Sequence, residues 1–205
     1  MAGLLLNLRN TIIVSLILAA IMLWAYSHGP HLMDQTYWQA VFRWMHVVFG
    51  IMWIGRLYYF NFVQIRKMPD IPAEQKPAVT KFIAPEALFW FRWSALFTVL
   101  AGLGVAILRG GNYAEKVFSF GFAGGYDASD RGFTLMGIGV WLAIIMFLNV
   151  WGIIWPNQKI ALGIKEADAD AKAKAGRIAT LASRTNVLLS LPMLTSMAMY
   201  QSLYG

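Results

Sequence analysis

Five long blocks of mostly apolar residues run along this chain, at 11–26, 41–63, 88–108, 133–155 and 187–203, separated by stretches rich in charge, glycine and proline. A helix needs about 20 predominantly apolar residues to cross the hydrocarbon of a bilayer. Helices also satisfy their own backbone hydrogen bonds there, which open strands do not. The pattern therefore predicts an all-α fold, a polytopic transmembrane bundle of about five membrane-spanning helices. It forms a single domain, 1–205, with spans near 9–27, 37–65, 85–108, 133–155 and 184–203. The first block reads as a membrane helix rather than a cleaved leader, since Ala25-Tyr26-Ser27 makes a poor cleavage site. The segment "IKEADADAKAKAGRIATLASRTN" is alanine-rich with mixed charge, and reads as a helical extension running into the fifth span.

Composition agrees with the pattern. The chain is 59% hydrophobic and 13% charged, against about 45–50% and about 25% in a soluble domain. It has no cysteine, which excludes disulfides, iron–sulfur clusters, thiolate metal sites and covalent haem attachment. The net charge of +7 does not point to a nucleic-acid partner, because its distribution has a simpler cause. Arg9, Arg66, Lys67, Lys76, Lys81, Lys159, Lys165, Lys172, Lys174, Arg177 and Arg184 all fall on one side of a five-span topology. Only Arg109, Lys116 and Arg131 fall on the other. The positive-inside rule places the N-terminus in the cytoplasm and the C-terminus outside, which for a bacterial inner membrane is the periplasm. The loop "RGGNYAEKVFSFGFAGGYDASDRGF" carries Phe118, Phe120, Phe122 and Tyr126, aromatics suited to lying at the outer interface.

The second span breaks its own apolar pattern. Gln39, Arg43, His46, Gly50, Trp53, Leu57, Asn61 and Gln64 fall within an arc of about 80° on a helix of 100° per residue. Such a stripe is costly against lipid and points toward protein or a cavity. His46 reads in two ways: a histidine hydrogen-bonded inside the bundle, or an axial ligand to a buried haem or chlorin. In the second reading Gly50 gives clearance for a neighbouring helix or a planar ring, Trp53 shares the face, and Arg43 pairs a carboxylate of the cofactor. The only other histidines, His28 and His31, stand in "SHGPHLMD" outside the span. They are candidates for copper or zinc, with Met33 and Asp34 beside them, and a second haem ligand would otherwise be a methionine such as Met197. Arg56 and Arg92 sit nearer the basic side, where Glu86 opens the third span, so a Glu86 contact with either arginine is expected to lower the cost of burial.

The blocks "MHVVFGIMWIGRLYYFNFVQ", "APEALFWFRWSALFTVLAGL" and "MGIGVWLAIIMFLNVWGIIWPNQK" resemble the integral-membrane domain of bacterial urate hydroxylases, the urate oxidase N-terminal family. The resemblance covers roughly residues 35–160. It implies a redox domain passing electrons in a membrane complex, with a cytochrome c or other membrane subunits as partners. The family's cytochrome c motif, Cys-x-x-Cys-His, is missing from this sequence. Positions His46, Gly50, Trp53, Arg56, Asn61, Glu86, Arg92, Asn149 and Asn157 become candidate functional residues by that likeness. The alternative function is a non-catalytic structural or accessory subunit whose stripe packs against partner helices. No self-contained catalytic motif, paired acids or nucleotide loop is present.

Overall fold

A computed structural model of the protein describes residues 2–27, 33–123, 125 and 130–204. They contain no strand. After a helical turn at Ala2–Leu5 come α1 (Leu8–Tyr26), α2 (Gln35–Asp70), α3 (Lys76–Leu108), the short α4 (Tyr113–Phe118), α5 (Arg131–Ala161) and α6 (Ala169–Leu203). The protein is a polytopic membrane bundle. Helices α1, α2, α3 and α5 are each long and apolar enough to cross a membrane. Helix α6, at 35 residues, is long enough but less apolar. Its inward face explains this: Ser183, Asn186, Ser190 and Ser196 are buried against the bundle, while Leu188, Leu191 and Leu194 face outward. The charged Lys172, Lys174, Arg177 and Arg184 in its first half lower the average further.

Local signals set the helix starts. Asp34 accepts from the Tyr37 amide (2.7 Å) and Asp168 from the Ala171 amide (2.7 Å), side-chain caps for amides that have no partner within the helix. The expected helical extension before the fifth span is continuous with it, as α6. Three π-helical turns interrupt the long helices, at Tyr59–Gln64, Val79–Ile83 and Val150–Ile154. Two of them end two residues before a proline, Pro85 and Pro156. A proline inside a helix removes a donor and crowds the preceding turn, and the wider π turn is where that mismatch is absorbed.

The helices pair as two antiparallel hairpins, α2 with α3 and α5 with α6. The α2–α3 seam is close because of glycine. The Phe42 ring lies against Gly104 and the His46 ring against Gly102, so that a Cβ at Gly102 would stand 2.9 Å from His46 Nδ1. At the end of the bundle that carries Asp70, Lys76, Ala161 and Ala169, here the basic end, the hairpins meet in a packed core. Leu57, Phe60, Leu88, Phe91, Met146 and Val150 form its centre. Buried hydrogen bonds cross the same region: Tyr58 to Ser190 (3.0 Å), Asn61 to Ser183 (2.7 Å) and Asn149 to Asn186 (2.7 Å). Toward the opposite, distal end a cavity lies between the hairpins. Helix α1 has no buried residue.

Candidate functional site

The cavity in the distal half has a volume of about 520 Å³, within the range of about 300–1,000 Å³ usual for small-molecule sites. Arg43, His46, Gly50 and Trp53 from the α2 stripe all line it. Helix α3 contributes Thr98 and Gly102, with Arg109 just past its end, and the other hairpin contributes Met136, Met193, Met197 and Gln201. Helix α4 closes the distal side with Tyr113, Val117 and Phe118. It is held there by Lys116, which pairs with the buried Asp130 (2.7 Å) just before α5. The Trp141 indole also donates to the Phe118 carbonyl (3.0 Å).

His46 is the organised centre of this wall. Its Nδ1 lies 2.8 Å from the Thr98 carbonyl oxygen. A carbonyl only accepts, so Nδ1 carries the proton and, in the neutral ring, Nε2 keeps its lone pair. No hydrogen bond engages Nε2 among the described residues. Trp53 is 1% exposed and its Nε1–H has no partner there either. An indole N–H buried without an acceptor costs free energy, about 1–3 kcal/mol. Arg43 lies at the rim and is exposed. Arg109 stacks on Tyr113 (4.6 Å) and Tyr200 (5.5 Å). Burial pushes the Tyr113 phenol above its ordinary value and the hydrogen bond with Tyr200 adds to this, against the opposing pull of Arg109. That phenol is uncharged at neutral pH.

The stripe thus divides. Its distal half faces the cavity, and beyond the buried Leu57 its basic half joins α6. Gly50 plays a lesser part than the sequence suggested, since a Cβ there would meet only Thr98 Cγ2 at 3.8 Å, an ordinary contact. The glycine that His46 needs is Gly102, on another helix. Asn61 donates to the Leu57 carbonyl (2.8 Å) and to Ser183, which leaves its buried Oδ1, and the buried Gln64 Oε1, without a partner among the described residues. Asn149 donates to the Ala182 carbonyl as well as to Asn186.

The charge network differs from the one expected. Among the described residues Glu86 forms no ion pair with Arg56 or Arg92. Glu86 is exposed on the surface of α3 and takes the indole N–H of Trp90 instead (2.7 Å). Arg56 lies over the Trp90 ring (5.9 Å) and donates to the Met52 carbonyl (2.8 Å). Arg92 lies over Trp155 at 3.8 Å. Guanidinium groups are weakly hydrated and stack on aromatic faces, so tryptophans do the work assigned to a carboxylate. Asn157 donates to the Ile153 carbonyl of its own helix. His28, His31 and Tyr126 lie outside the described residues, within which no cluster of three His, Asp or Glu side chains stands ready for a metal ion.

Fold and cavity together define a class: multi-pass α-helical membrane proteins with a ligand-sized cavity inside the bundle. Compared with protein-family profiles, with curated proteins and with solved structures, the chain matches none.

Proposed function

We propose that the chain is an integral-membrane redox domain of a bacterial inner membrane, and that the cavity under His46 is where its redox-active group resides. One observation carries this reading: a histidine whose Nδ1 is fixed by a backbone carbonyl presents an uncommitted Nε2 lone pair in a cavity of cofactor size. The resemblance to the urate oxidase N-terminal domain points the same way, toward a cytochrome c or membrane subunits as electron partners. A haem is the first candidate. His46 Nε2 is an imidazole ligand, Met197 on the other hairpin lines the same cavity, and the Arg43 rim suits a carboxylate. A haem there would supply a one-electron carrier, and the chain would hold and orient it and exclude water. The expected result is a Soret band in the purified protein that shifts with dithionite and is lost in His46→Ala. A colourless native protein rules out the haem.

Orientation follows from charge. The basic end, with Arg66, Lys67, Lys76, Lys159 and Lys165, is placed in the cytoplasm, so the cavity lies in the periplasmic half. Cysteine placed at the exposed Ser202 is expected to react with an impermeant reagent added to intact spheroplasts. Labelling only after lysis reverses the topology.

A second reading, an accessory subunit of a larger membrane complex, is favoured by α1. That helix buries none of its residues against the rest of the chain.

A further inference from the structure

Two cations from different helices share one indole near the basic end. The Arg92 guanidinium carbon lies 3.8 Å from the centre of the Trp155 ring, and the Lys159 ammonium lies 5.6 Å from the same ring. The two charges are therefore no farther apart than about one Debye length, about 10 Å at 0.1 M salt. Arg56 donates to the Met52 carbonyl, but the side chains of Arg92 and Lys159 donate no hydrogen bond among the described residues. Neither lies within ion-pair distance of a carboxylate there. An aromatic face attracts a cation but carries no net charge to cancel it. A guanidinium over a ring also keeps its N–H groups in its own plane, free for an anion.

The pair stands at the depth of lipid head groups. The apolar block 133–155 has about the length that crosses the hydrocarbon, and Trp155 ends it. That depth is also where tryptophan settles. Arg92 and Lys159 are both half-buried, whereas Arg66, Lys67, Lys81 and Lys165 of the same end are exposed. Helices α3 and α5 touch here: the Trp151 indole donates to the Arg92 carbonyl (3.2 Å) and meets the Trp93 ring edge-on (5.6 Å). Over the next two turns toward the distal end both helices turn apolar side chains outward. Phe97 and Leu100 do so on α3, and Ile145 and Leu148 on α5. Two uncompensated cations are thus continued by an apolar track.

We propose that Arg92, Lys159 and Trp155 form a site for one anionic phospholipid, whose phosphate lies between the guanidinium and the ammonium. The phosphate oxygens accept from the guanidinium N–H groups and from the ammonium, charge-assisted bonds at both ends. The acyl chains follow the track along α3 and α5. Net charge selects the lipid. A zwitterionic head group brings an ammonium of its own, and no carboxylate pairs with these cations or stands ready to receive it. Basic sites between membrane helices at a cytoplasmic end suit anionic head groups for the same reason. None of the three residues lines the cavity, so the inference stands whatever fills it.

The test is native mass spectrometry of the detergent-solubilised protein, offered equal amounts of phosphatidylglycerol and phosphatidylethanolamine with identical acyl chains. The first lipid bound is expected to be phosphatidylglycerol by at least tenfold. Arg92→Gln and Lys159→Gln are each expected to lower that preference about fivefold, the equivalent of about 1 kcal/mol per cation near a membrane surface. Arg66→Gln removes the same charge from an exposed position of the same end, and is expected to leave the preference unchanged. Equal binding of the two lipids by the unsubstituted protein overturns the proposal, whether or not any variant folds. An equal loss in Arg66→Gln also overturns it, since the preference would then belong to the basic end as a whole. Displacement of the bound lipid by millimolar inorganic phosphate overturns the lipid as occupant and leaves a site for free anions.

Discussion

Gly102→Val is expected to release His46 from the Thr98 carbonyl and to abolish ligand binding in the cavity. The His46 ring already lies where the new side chain must go: Cε1 and Nδ1 are each 2.9 Å from the Cβ position. Real contacts of that kind do not occur at such a distance, so either the ring swings out or α3 moves away from α2. Overpacking of this order costs about 1–3 kcal/mol. Gly104→Val is the control, because it meets the Phe42 ring instead. Both variants are expected to lower the unfolding midpoint in mixed micelles by similar amounts, but only Gly102→Val is expected to weaken the ligand by more than tenfold. Equal loss of binding in the two would mean that His46 owes its orientation to the seam as a whole and not to Gly102.

Much of this was legible in the sequence, for definite reasons. A bilayer imposes a length and an apolarity on any helix that crosses it, so the spans were readable from block lengths: four of the helices are long and apolar enough to cross, and the fifth expected span is the end of the longer α6. The α2 stripe was readable because lipid penalises Arg43, His46 and Asn61 wherever they are not turned inward. The stripe does not say what stands opposite it. Gly102 and Thr98 lie on α3 and Arg109 just past its end, and their relation to His46 depends on how two helices dock, which no single periodicity encodes. Gly102 looks like any small residue in "VLAGLGVAI". Its importance comes only from the ring against it.

The π turns were missed for a related reason. Pro85 and Pro156 mark where an ordinary helix is disturbed, but whether the chain breaks, kinks or widens is decided by packing around it. Arg56 and Glu86 show the same limit in electrostatics. A carboxylate was the natural partner to name for a membrane arginine, yet one turn along α3 from Glu86 stands Trp90. The indole serves both, its N–H donating to the carboxylate and its face meeting the guanidinium. Trp90 is the connection between the two charges.

Lys116→Met is expected to be the most destabilising single change outside the membrane core. Asp130 is 2% exposed and the Lys116 side chain 25%, so the pair is little screened by solvent. Removing one member of a buried pair costs about 3–5 kcal/mol, because the other charge stays in a poor medium. The consequence is also functional. The pair fastens α4 to the start of α5, and α4 supplies Tyr113, Val117 and Phe118 to the cavity wall. Loosening it is expected to raise ligand dissociation as well as to lower the unfolding midpoint. In Lys116→Met with Asp130→Asn the buried carboxylate charge is gone, and part of the stability is expected to return. If the double variant is as unstable as the sum of the two single ones, measured in a complete double-mutant cycle, the pair does not hold α4 in place, and the packing of Tyr113 and Val117 on α5, with the Trp141 indole on the Phe118 carbonyl, fastens it instead.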